Sequence, residues 1–395
     1  MSDLLGVYVS VPFCKAKCSF CNFASGVFAE ARIDGYIERL AEEMRGARAH
    51  VAQLGAELPG RVDSIYFGGG TPSLLEPEVI ARVFAGLRGE FDLVADAEVT
   101  VECAPGQISD ASLAEYRRQG VNRLSFGVQS FVDRECAAVG RLHTGAECRA
   151  ELARVSGAGL SRLGIDLIVG LPHQSFESWR YSVEQAIESG VEHVSMYMLE
   201  VDEDSRLGRE SIAGGARYAA AALPDEDRVA DWYQAGCEWL ASAGLRQYEI
   251  SNFARVGGES RHNRKYWERK PYVGFGLDAH SMLRIGLCGV RWANPDEMNG
   301  YVGLMGERGF ERTVDLVGKE AAFEEALFLG LRLVDGVDLA GLESSFGMNG
   351  LIEGPVAEMV EAGLVVVSDG RLKLTGRGRM ASNEVFGRLL VGAGV

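Results

Sequence analysis

The sequence predicts an α/β protein: a partial (β/α)6 barrel followed by a C-terminal α+β domain that ends in a winged-helix-like module. In the first half of the chain, short apolar runs alternate six times with segments of helical periodicity. This alternation indicates a parallel sheet with right-handed crossovers. After about Glu200 the alternation stops. The chain then closes with helical segments and an Asp369-Gly370 turn between two apolar runs, which is typical of a tight hairpin.

The predicted barrel strands are short apolar runs, and they cover residues 8–11, 64–68, 98–102, 123–127, 164–169 and 193–199. The spacing of Ile37, Leu40 and Met44 predicts a helix after the first strand. A cap at Asp110 begins another helix, which runs to Gly120. Each polar or glycine-rich motif comes just after a strand, where α/β barrels build their active sites. Six such units favour a partial barrel over a closed barrel of eight.

Three domains are expected from the change of pattern along the chain. Residues 1–200 form the barrel, 201–318 a linker helix and a β-rich cover, and 319–395 the winged-helix-like module. Within the middle part, 202–222 is a polar connection, 224–244 a helix, and 262–267 carries the pattern His-Asn-x-x-Tyr-Trp. Because the chain is acidic, a packing or partner role for the module is favoured over DNA binding.

The charge of the chain limits its partners and its location. A net charge of −16 over 395 residues argues against nucleic acid as the main partner, and 261–270 is the only dense basic segment. No apolar run is long enough to span a membrane. The first residues lack the basic and apolar regions of a secretory signal. We therefore expect a cytoplasmic protein with no integral membrane segment and no nucleic-acid partner.

Three cysteines follow the first strand with the spacing Cys-x3-Cys-x2-Cys, namely Cys14, Cys18 and Cys21. Three thiolates hold three irons of a four-iron cluster and leave the fourth iron open to a small molecule. A structural zinc site requires four ligands, and no fourth Cys or His lies nearby in the sequence. A disulfide scaffold is typical of short secreted chains. With Phe20 before the third cysteine, the motif resembles that of the radical S-adenosylmethionine (SAM) proteins.

The other cysteines form no second close pair or triplet. Buried structural thiols are the expected role for all of them. They are Cys103, Cys136, Cys148, Cys237 and Cys288.

Several residues after the strands have the chemistry to bind SAM. The glycines at 68–70 let the backbone approach a ligand closely, and their N–H and C=O groups can bind its amino-acid end, although a tight turn explains them equally well. Glu102 can accept hydrogen bonds from an ammonium or a ribose. Gln129, Arg141 and Asp166 are placed similarly. For each one, a solvated or salt-bridged loop residue is the alternative.

Four motifs together resemble the radical SAM proteins related to oxygen-independent coproporphyrinogen III oxidase. They are the cysteine triplet, Gly-Gly-Gly-Thr-Pro-Ser at 68–73, Arg-Leu-Ser-Phe-Gly-Val-Gln-Ser at 123–130 and Ile-Asp-Leu-Ile-Val-Gly-Leu-Pro at 165–172. The oxidases carry a fourth cysteine where this chain has Phe23. The pattern at 262–267 instead resembles that of the HemW-type heme chaperones. Ser10, where relatives often have His, and Cys103-Ala104, where Asn is expected, depart from the family pattern.

The resemblance implies one [4Fe-4S] cluster on the three cysteines, exchangeable SAM, a cytoplasmic location, and delivery of bound heme to acceptor proteins that the sequence does not identify. A homodimer stays open. By similarity to the oxidases, the residues that line SAM pockets would be Tyr8, Phe20, Gly69, Gly70, Thr71, Glu102, Gln129, Arg141 and Asp166.

Heme requires an axial ligand and an apolar slot with a basic rim for its propionates. His262 is the candidate ligand, with Tyr266 and Trp267 as a stacking surface. The candidate propionate partners are Arg261, Arg264 and Lys265. Alternatively, His262 and Asn263 shape a buried turn, and His280 is the rival ligand.

Two functions of different class follow, and heme transfer is favoured over catalysis. The first is a heme chaperone on a radical SAM scaffold. The alternative is an enzyme, either an oxidase that decarboxylates coproporphyrinogen III to protoporphyrinogen IX or a protein with another radical SAM reaction on a tetrapyrrole. Whether the protein is an enzyme therefore stays open at this point.

Overall fold

The computed structural model describes residues 4–160, 162–303 and 311–390. Within these ranges, twelve strands form one sheet, and its central six are parallel and follow one another in chain order. They are β1 (Leu5–Val11), β2 (Arg61–Gly69), β3 (Asp92–Cys103), β4 (Arg123–Gln129), β5 (Arg162–Val169) and β6 (His193–Met198). The predicted partial barrel of six strands is confirmed, with β1 and β2 starting three residues earlier than predicted.

Helices connect the barrel strands and cover the outer face of the sheet. They are α1 (Ala31–Gln53), α2 (Pro77–Glu90), α3 (Asp110–Gln119), α4 (Asp133–Ala138), α5 (Gly145–Gly157) and α6 (Phe176–Glu188), with a 3-10 turn at Pro72–Leu74. In α1 the buried residues include Ile37, Leu40 and Met44, so the helical spacing seen in the sequence marks the face that packs on the sheet. No helix in the ranges given above combines the length and the apolar sequence that crossing a bilayer requires.

The start of α3 differs by one residue from the prediction. Ser109 is the N-cap, and its Oγ accepts a hydrogen bond from the Ser112 backbone N–H at 3.0 Å. Asp110, the predicted cap, is the first helical residue and forms an ion pair with Arg154. A carboxylate in the first turn also faces the positive end of the helix dipole. The helix ends at Gly120 as predicted, with φ at +82°.

The segment predicted as a polar connection, 202–222, contains helix α7 (Arg206–Ile212) and a 3-10 segment at Arg217–Ala222. Helix α8 (Glu226–Ser242) then begins at the cap Asp225 and confirms the predicted helix. The α7 segment lies against the cysteine-containing loop, because the Leu207 backbone N–H donates to the Ser19 carbonyl at 2.8 Å. It therefore forms one wall around the cysteines.

The middle of the chain extends the barrel sheet at both of its edges. The elements are β7 (Arg246–Gln247), β8 (Asn252–Ala254), α9 (Arg261–Trp267), β9 (Tyr272–Phe275), β10 (His280–Ile285), β11 (Cys288–Ala293), α10 (Met298–Val302) and β12 (Thr313–Val317). Strand β9 pairs with β1 in parallel, and β10 to β12 continue from it as antiparallel strands. At the other edge β8 pairs with β6. The strands of the predicted cover therefore belong to the barrel sheet itself.

The His-Asn-x-x-Tyr-Trp segment forms helix α9, whereas the sequence placed it in a β-rich stretch. Ser260 caps this helix, since its Oγ accepts from the Asn263 backbone N–H at 3.2 Å. A helix of seven residues is too short to be stable alone. Its conformation therefore depends on the cap and on the contacts that it makes with the barrel.

The C-terminal elements are α11 (Lys319–Arg332), α12 (Leu339–Phe346), α13 (Glu353–Glu361), β13 (Val365–Ser368), β14 (Arg371–Leu374), α14 (Gly376–Met380) and α15 (Ser382–Arg388). Asp369 and Gly370 have φ of 54° and 72°, as the type I′ turn of a two-residue hairpin requires, which confirms the predicted hairpin. Phe323, Leu327 and Met359 belong to a hydrophobic core separate from that of the barrel. The domain boundaries stay a prediction.

All eight cysteines are free thiols. The three thiols predicted to be structural in the barrel are buried, and they are Cys103, Cys136 and Cys148. Cys237 and Cys288 are only partly buried, which corrects the prediction of full burial for these two. Cys237 packs against the edge of the main core from α8.

Replacing the observed cap of α3 tests its assignment. We expect Ser109→Ala to lower the free energy of unfolding by about 1 kcal/mol, because the Ser112 N–H loses its hydrogen-bond acceptor. Asp110→Ala, the matched control, removes an exposed ion pair and a first-turn carboxylate but no backbone hydrogen-bond acceptor, and it is expected to cost less. Urea denaturation of both variants measures the difference. A larger loss for Asp110→Ala would contradict the assignment.

Candidate functional site

The three cysteines lie in a loop that leaves β1 and returns to it. Phe13 pairs with Gly26 as an isolated bridge, so the two ends of the loop meet. The Cys14 backbone N–H donates to the Gly26 carbonyl at 2.9 Å, and the Gly26 N–H donates to the Pro12 carbonyl at 2.9 Å. These bonds hold the cysteine loop at the carboxyl end of β1, which is the end predicted for the site.

Each of the three thiols has at least one polar neighbour. The sulfur contacts are Thr71 Oγ1 with Cys14 at 3.7 Å, Arg141 Nη1 with Cys18 at 3.4 Å, and Ser25 Oγ with Cys21 at 3.8 Å. The thiolate is the form of cysteine that binds metal. Burial raises the pKa of the Cys14 thiol, and metal coordination would overcome this because it deprotonates a thiol outright.

The donor set fits an iron–sulfur cluster better than a zinc ion. Within the described part of the chain, no three His, Cys, Asp or Glu side chains are arranged to hold a single metal ion. The ligands of one zinc ion all lie within about 2.3 Å of it, whereas thiolates bind a four-iron cluster through separate irons. Beside Cys18, Arg141 Nε is buried without a hydrogen-bond partner and is available to a ligand.

The glycines at 68–70, at the end of β2, lie close to their neighbours on three sides. A Cβ at Gly70 would lie 2.7 Å from the Val11 carbonyl oxygen, so only glycine fits against the start of the cysteine loop. Gly69 has φ of +99° and faces Ser10 and Tyr8. A Cβ at Gly68 would lie 3.0 to 3.1 Å from the carboxylate of Glu102. The run therefore brings the cysteine loop, the strand end and a carboxylate together.

Two partly buried carboxylates, those of Glu102 and Asp166, stand inside the barrel. Tyr66 donates to Glu102 at 2.8 Å, and Ser125 donates to Asp166 at 3.3 Å. Burial raises the pKa of Glu102 to about 7, and the charge of Asp166 adds to this effect. Burial also raises the pKa of Asp166 to about 6, although the charge of Arg141 opposes it. A bound cation would stabilise both ionised forms.

Gln129 and Arg141 meet beside these carboxylates. A Cβ atom added at Gly127 would lie 3.0 Å from Gln129 Nε2 and 3.4 Å from Arg141 Nη2. Arg141 also donates a hydrogen bond to the Gly127 carbonyl. Gln129 has φ of +68°, which is unfavourable for a residue with a side chain. Such strain persists where the surroundings impose it and is common at functional sites.

The residues predicted to bind SAM occupy adjoining places. Those inside the barrel are Glu102, Gln129, Arg141 and Asp166, and those against the cysteine loop are Gly70 and Thr71. Tyr8 and Gly69 line a cavity described below. Phe20 packs against a small core that includes Leu207 of α7, on the far side of the cysteine loop. The sequence analysis did not identify Tyr66 of β2, which donates a hydrogen bond to Glu102. Its position two residues before Gly68 was the only feature of the sequence that could have indicated it.

A cavity of about 330 Å³ lies beside the cysteine loop. Its lining includes Phe23, Gly69, Tyr266, Tyr272, Leu277, Asp278 and His280. The sequence did not predict Tyr272, Leu277 or Asp278 as site residues. They reach the cavity because β9 pairs with β1, and no local signal in the sequence shows this pairing.

His262, the candidate heme ligand, is buried in the barrel interior with 1% of its surface exposed. Its Nδ1 lies 3.0 Å from the Ser64 hydroxyl, and its Nε2 lies 2.8 Å from the Tyr266 hydroxyl. Its backbone N–H donates to Glu98. Burial lowers its pKa to about 3, so the imidazole is neutral. With both ring nitrogens hydrogen-bonded, this geometry supports the structural alternative and leaves no nitrogen free for iron.

The basic segment 261–270 carries no unpaired cation. Its ion pairs are Arg261–Asp96, Arg264–Glu268, Lys265–Asp63, Arg269–Glu325 and Lys270–Glu268. Arg261, Arg264 and Lys265, the candidate propionate partners, are therefore already neutralised. Trp267, the candidate stacking residue, instead packs under Arg332 of α11, whose guanidinium carbon lies 4.2 Å from the ring centroid.

Comparison with known proteins gives concordant matches. Residues 8–186 match the radical SAM superfamily, and residues 317–381 match the HemN C-terminal domain. Heme chaperone HemW of Bacillus subtilis (strain 168) is 32% identical over 387 residues, covering 97% of this chain and 98% of that protein. HemW of Mycobacterium tuberculosis (strain H37Rv) is 34% identical, covering 98% and 94%. The solved structure of Escherichia coli coproporphyrinogen III oxidase (HemN), a radical SAM enzyme, has a TM-score of 0.81 at 25% identity, covering 98% and 90%.

The raised pKa of Glu102 predicts a pH-dependent stability. Because the folded pKa is about 7, the folded chain binds more protons than the unfolded chain between the ordinary carboxyl pKa and pH 7. The stabilisation is therefore present at low pH and is lost as the pH rises through 7.

We expect Glu102→Gln to remove this dependence and to be the more stable protein at about pH 8, by up to about 3 kcal/mol. Urea denaturation between about pH 5 and pH 8 measures the difference, with Glu238→Gln as an exposed control. Parallel stability profiles for wild type and Glu102→Gln would refute the expectation.

The buried hydrogen bonds of His262 predict a structural cost for its removal. His262→Ala is expected to lower the free energy of unfolding by about 2–4 kcal/mol, because Ser64 and Tyr266 lose a buried partner. His280→Ala, in an exposed position, is expected to leave stability nearly unchanged. Equal effects of the two substitutions in thermal or urea denaturation would contradict the structural role of His262.

Proposed function

This chain belongs to the HemW family of radical SAM proteins, and from that premise we propose that it binds heme and transfers it to acceptor proteins. The scaffold would hold one [4Fe-4S] cluster and exchangeable SAM. The observation that carries the proposal is Phe23. Where the oxidases have a fourth cysteine, this chain places an aromatic ring that is 62% exposed and lines the cavity beside the cysteine loop.

Cys14, Cys18 and Cys21 would bind the cluster and leave one iron open. When bound, the cluster and SAM supply one-electron chemistry, which the protein must shield from solvent. Glu102 and Asp166 would bind the positively charged parts of SAM, since both are carboxylates inside the barrel. The proposed SAM residues are those named above, namely Tyr8, Phe20, Gly69, Gly70, Thr71, Glu102, Gln129, Arg141 and Asp166.

The heme is the cargo of the proposed chaperone. It requires a free imidazole or another axial ligand, and His262 has neither a free ring nitrogen nor solvent access in the folded chain. We therefore place the cargo outside helix α9, so that the helix serves as support. The free thiols of the chain fit a reducing compartment, and we propose the cytoplasm as its location.

The partners of the proposed chaperone are heme and proteins that accept it. The paired cations of 261–270 do not favour nucleic acid as a further partner. A homodimer stays a proposal.

A second function has one observation in its favour. The fold similarity to HemN extends over 98% of this chain, so the scaffold would accommodate oxidase chemistry on a porphyrinogen. This alternative requires decarboxylation of two propionates with SAM and a reductant. The missing fourth cysteine at Phe23 weighs against it.

Heme retention by anaerobically reconstituted protein tests the proposal. We expect a Soret band corresponding to about one heme per chain after gel filtration, because an axial ligand and an apolar slot hold the ring. A heme-free globin added in excess should then acquire the heme, visible as the spectrum of the acceptor. Cys14→Ser serves as a matched variant to show whether retention needs the cluster.

A wild-type protein that contains its full iron–sulfur cluster but retains no heme would refute the proposal. Formation of a vinyl porphyrin from coproporphyrinogen III, with SAM and a reductant present, would instead favour the oxidase. Without added tetrapyrrole, neither function predicts product.

A further inference from the structure

We propose that the cavity between the cysteine loop and the start of β10 is the heme site, with His280 as the axial ligand. The inference rests on the proposed function and specifies where the cargo binds. The cavity has a volume of about 330 Å³ and opens to solvent on one side. Its open side is where His280 and Phe23 lie, and both side chains are more than half exposed.

His280 has the position that an axial ligand needs. It is the first residue of β10, with 66% of its side chain exposed, so a strand fixes its backbone while the imidazole stays accessible. Asp278 Oδ1 lies 3.7 Å from His280 Nε2. At hydrogen-bond distance, a carboxylate fixes the orientation of a ligating imidazole.

None of the other histidines, all of which are described, lines this cavity. His143, His193 and His262 are buried, and each makes a hydrogen bond through a ring nitrogen. His50 packs edge-on against Trp292. His173 lies beside Arg134, away from the cavity lining. His280 is therefore the histidine that can ligate a heme in this cavity.

Aromatic and aliphatic side chains form the walls. Tyr266 and Tyr272 pack edge to face with their ring centroids 4.6 Å apart, which gives the inner wall a fixed shape. Leu277 adds apolar surface, and Phe23 stands at the rim. The Phe23 carbonyl accepts a hydrogen bond from the Lys17 ammonium at 2.9 Å, so a cation lies beside the rim. A cavity with aromatic and aliphatic walls and an imidazole in its lining offers a heme both a stacking surface and an axial ligand.

The size of the cavity fits a carrier rather than a permanent holder. Its volume is at the low end of the range for small-molecule sites, about 300–1,000 Å³. A porphyrin with its side chains exceeds such a cavity, so part of the ring would stay outside. An acceptor protein can take a ring only where part of it is accessible, and partial enclosure provides that access.

Spectroscopy of the loaded full-length protein tests the ligand directly. Wild type, His280→Ala, His280→Cys and the control His173→Ala are reconstituted anaerobically with their cluster and loaded with hemin. Soret absorption and low-temperature EPR of the ferric heme report the axial ligand. Transfer to an excess of a heme-free globin gives the rate of heme loss.

The expected results distinguish ligation from simple stability. His280→Ala should lose the imidazole signature and release heme at least about tenfold faster. His280→Cys should shift the spectrum to that of a thiolate-ligated heme, which no structural role would produce. Asp278→Asn should keep the imidazole signature with faster release, and His173→Ala should match wild type.

Two failures can be told apart. If wild type retains heme and His280→Ala has the same spectrum and release rate, the cavity assignment is overturned and the proposed function stands. If wild type retains no heme, the proposed function fails and the assignment fails with it. Since His280 is exposed, loss of folding does not account for a changed spectrum, and circular dichroism of each variant verifies this.

Discussion

The parallel pairing of β1 with both of its neighbours is the constraint on which the site depends. Val9 stands opposite Phe67 of β2 and Phe275 of β9 in parallel register. The carboxyl ends of parallel strands meet at one edge of a sheet. Three loops therefore converge there: the cysteine loop, the glycine run 68–70, and the loop 276–279 before His280. Neither the cluster ligands nor the cavity would exist without this shared edge.

The sequence predicted the features that depend on local pattern and spacing. The barrel strands, the helix after Asp225 and the Asp369-Gly370 hairpin are encoded within short windows, and the structure confirms them. The pairing of β1 with β9 joins residues more than 260 positions apart, so no window contains it. Helix α9 was missed for a related reason, because so short a helix is stabilised by Ser260 and by contacts to the barrel. The role of His262 depended on those same contacts.

The barrel interior and helix α9, the two regions that the sequence singled out, differ in whether their charged side chains are paired. Inside the barrel, the partly buried Glu102 and Asp166 lie close together, and desolvation keeps the pKa of both high. A bound cation would stabilise the ionised form of both carboxylates. In helix α9, by contrast, each cationic side chain already forms an ion pair with a carboxylate. Lys265 Nζ, for example, lies 2.6 Å from Asp63 Oδ1. The imidazole of His262, which belongs to this helix, stays neutral and connects the helix to Ser64 of the barrel through a hydrogen bond.

The two proposed ligands would share a wall. Tyr8 and Gly69 belong to the predicted SAM residues and also line the cavity assigned to heme, so a ligand on one side alters the surface offered to the other. If SAM and heme bind as proposed, linkage requires that each change the affinity of the other by the same factor. A chaperone can use such coupling without cleaving SAM, because exchange of SAM would by itself change how tightly the heme is held. The presence of a radical SAM scaffold in a heme carrier then has a physical reason independent of catalysis.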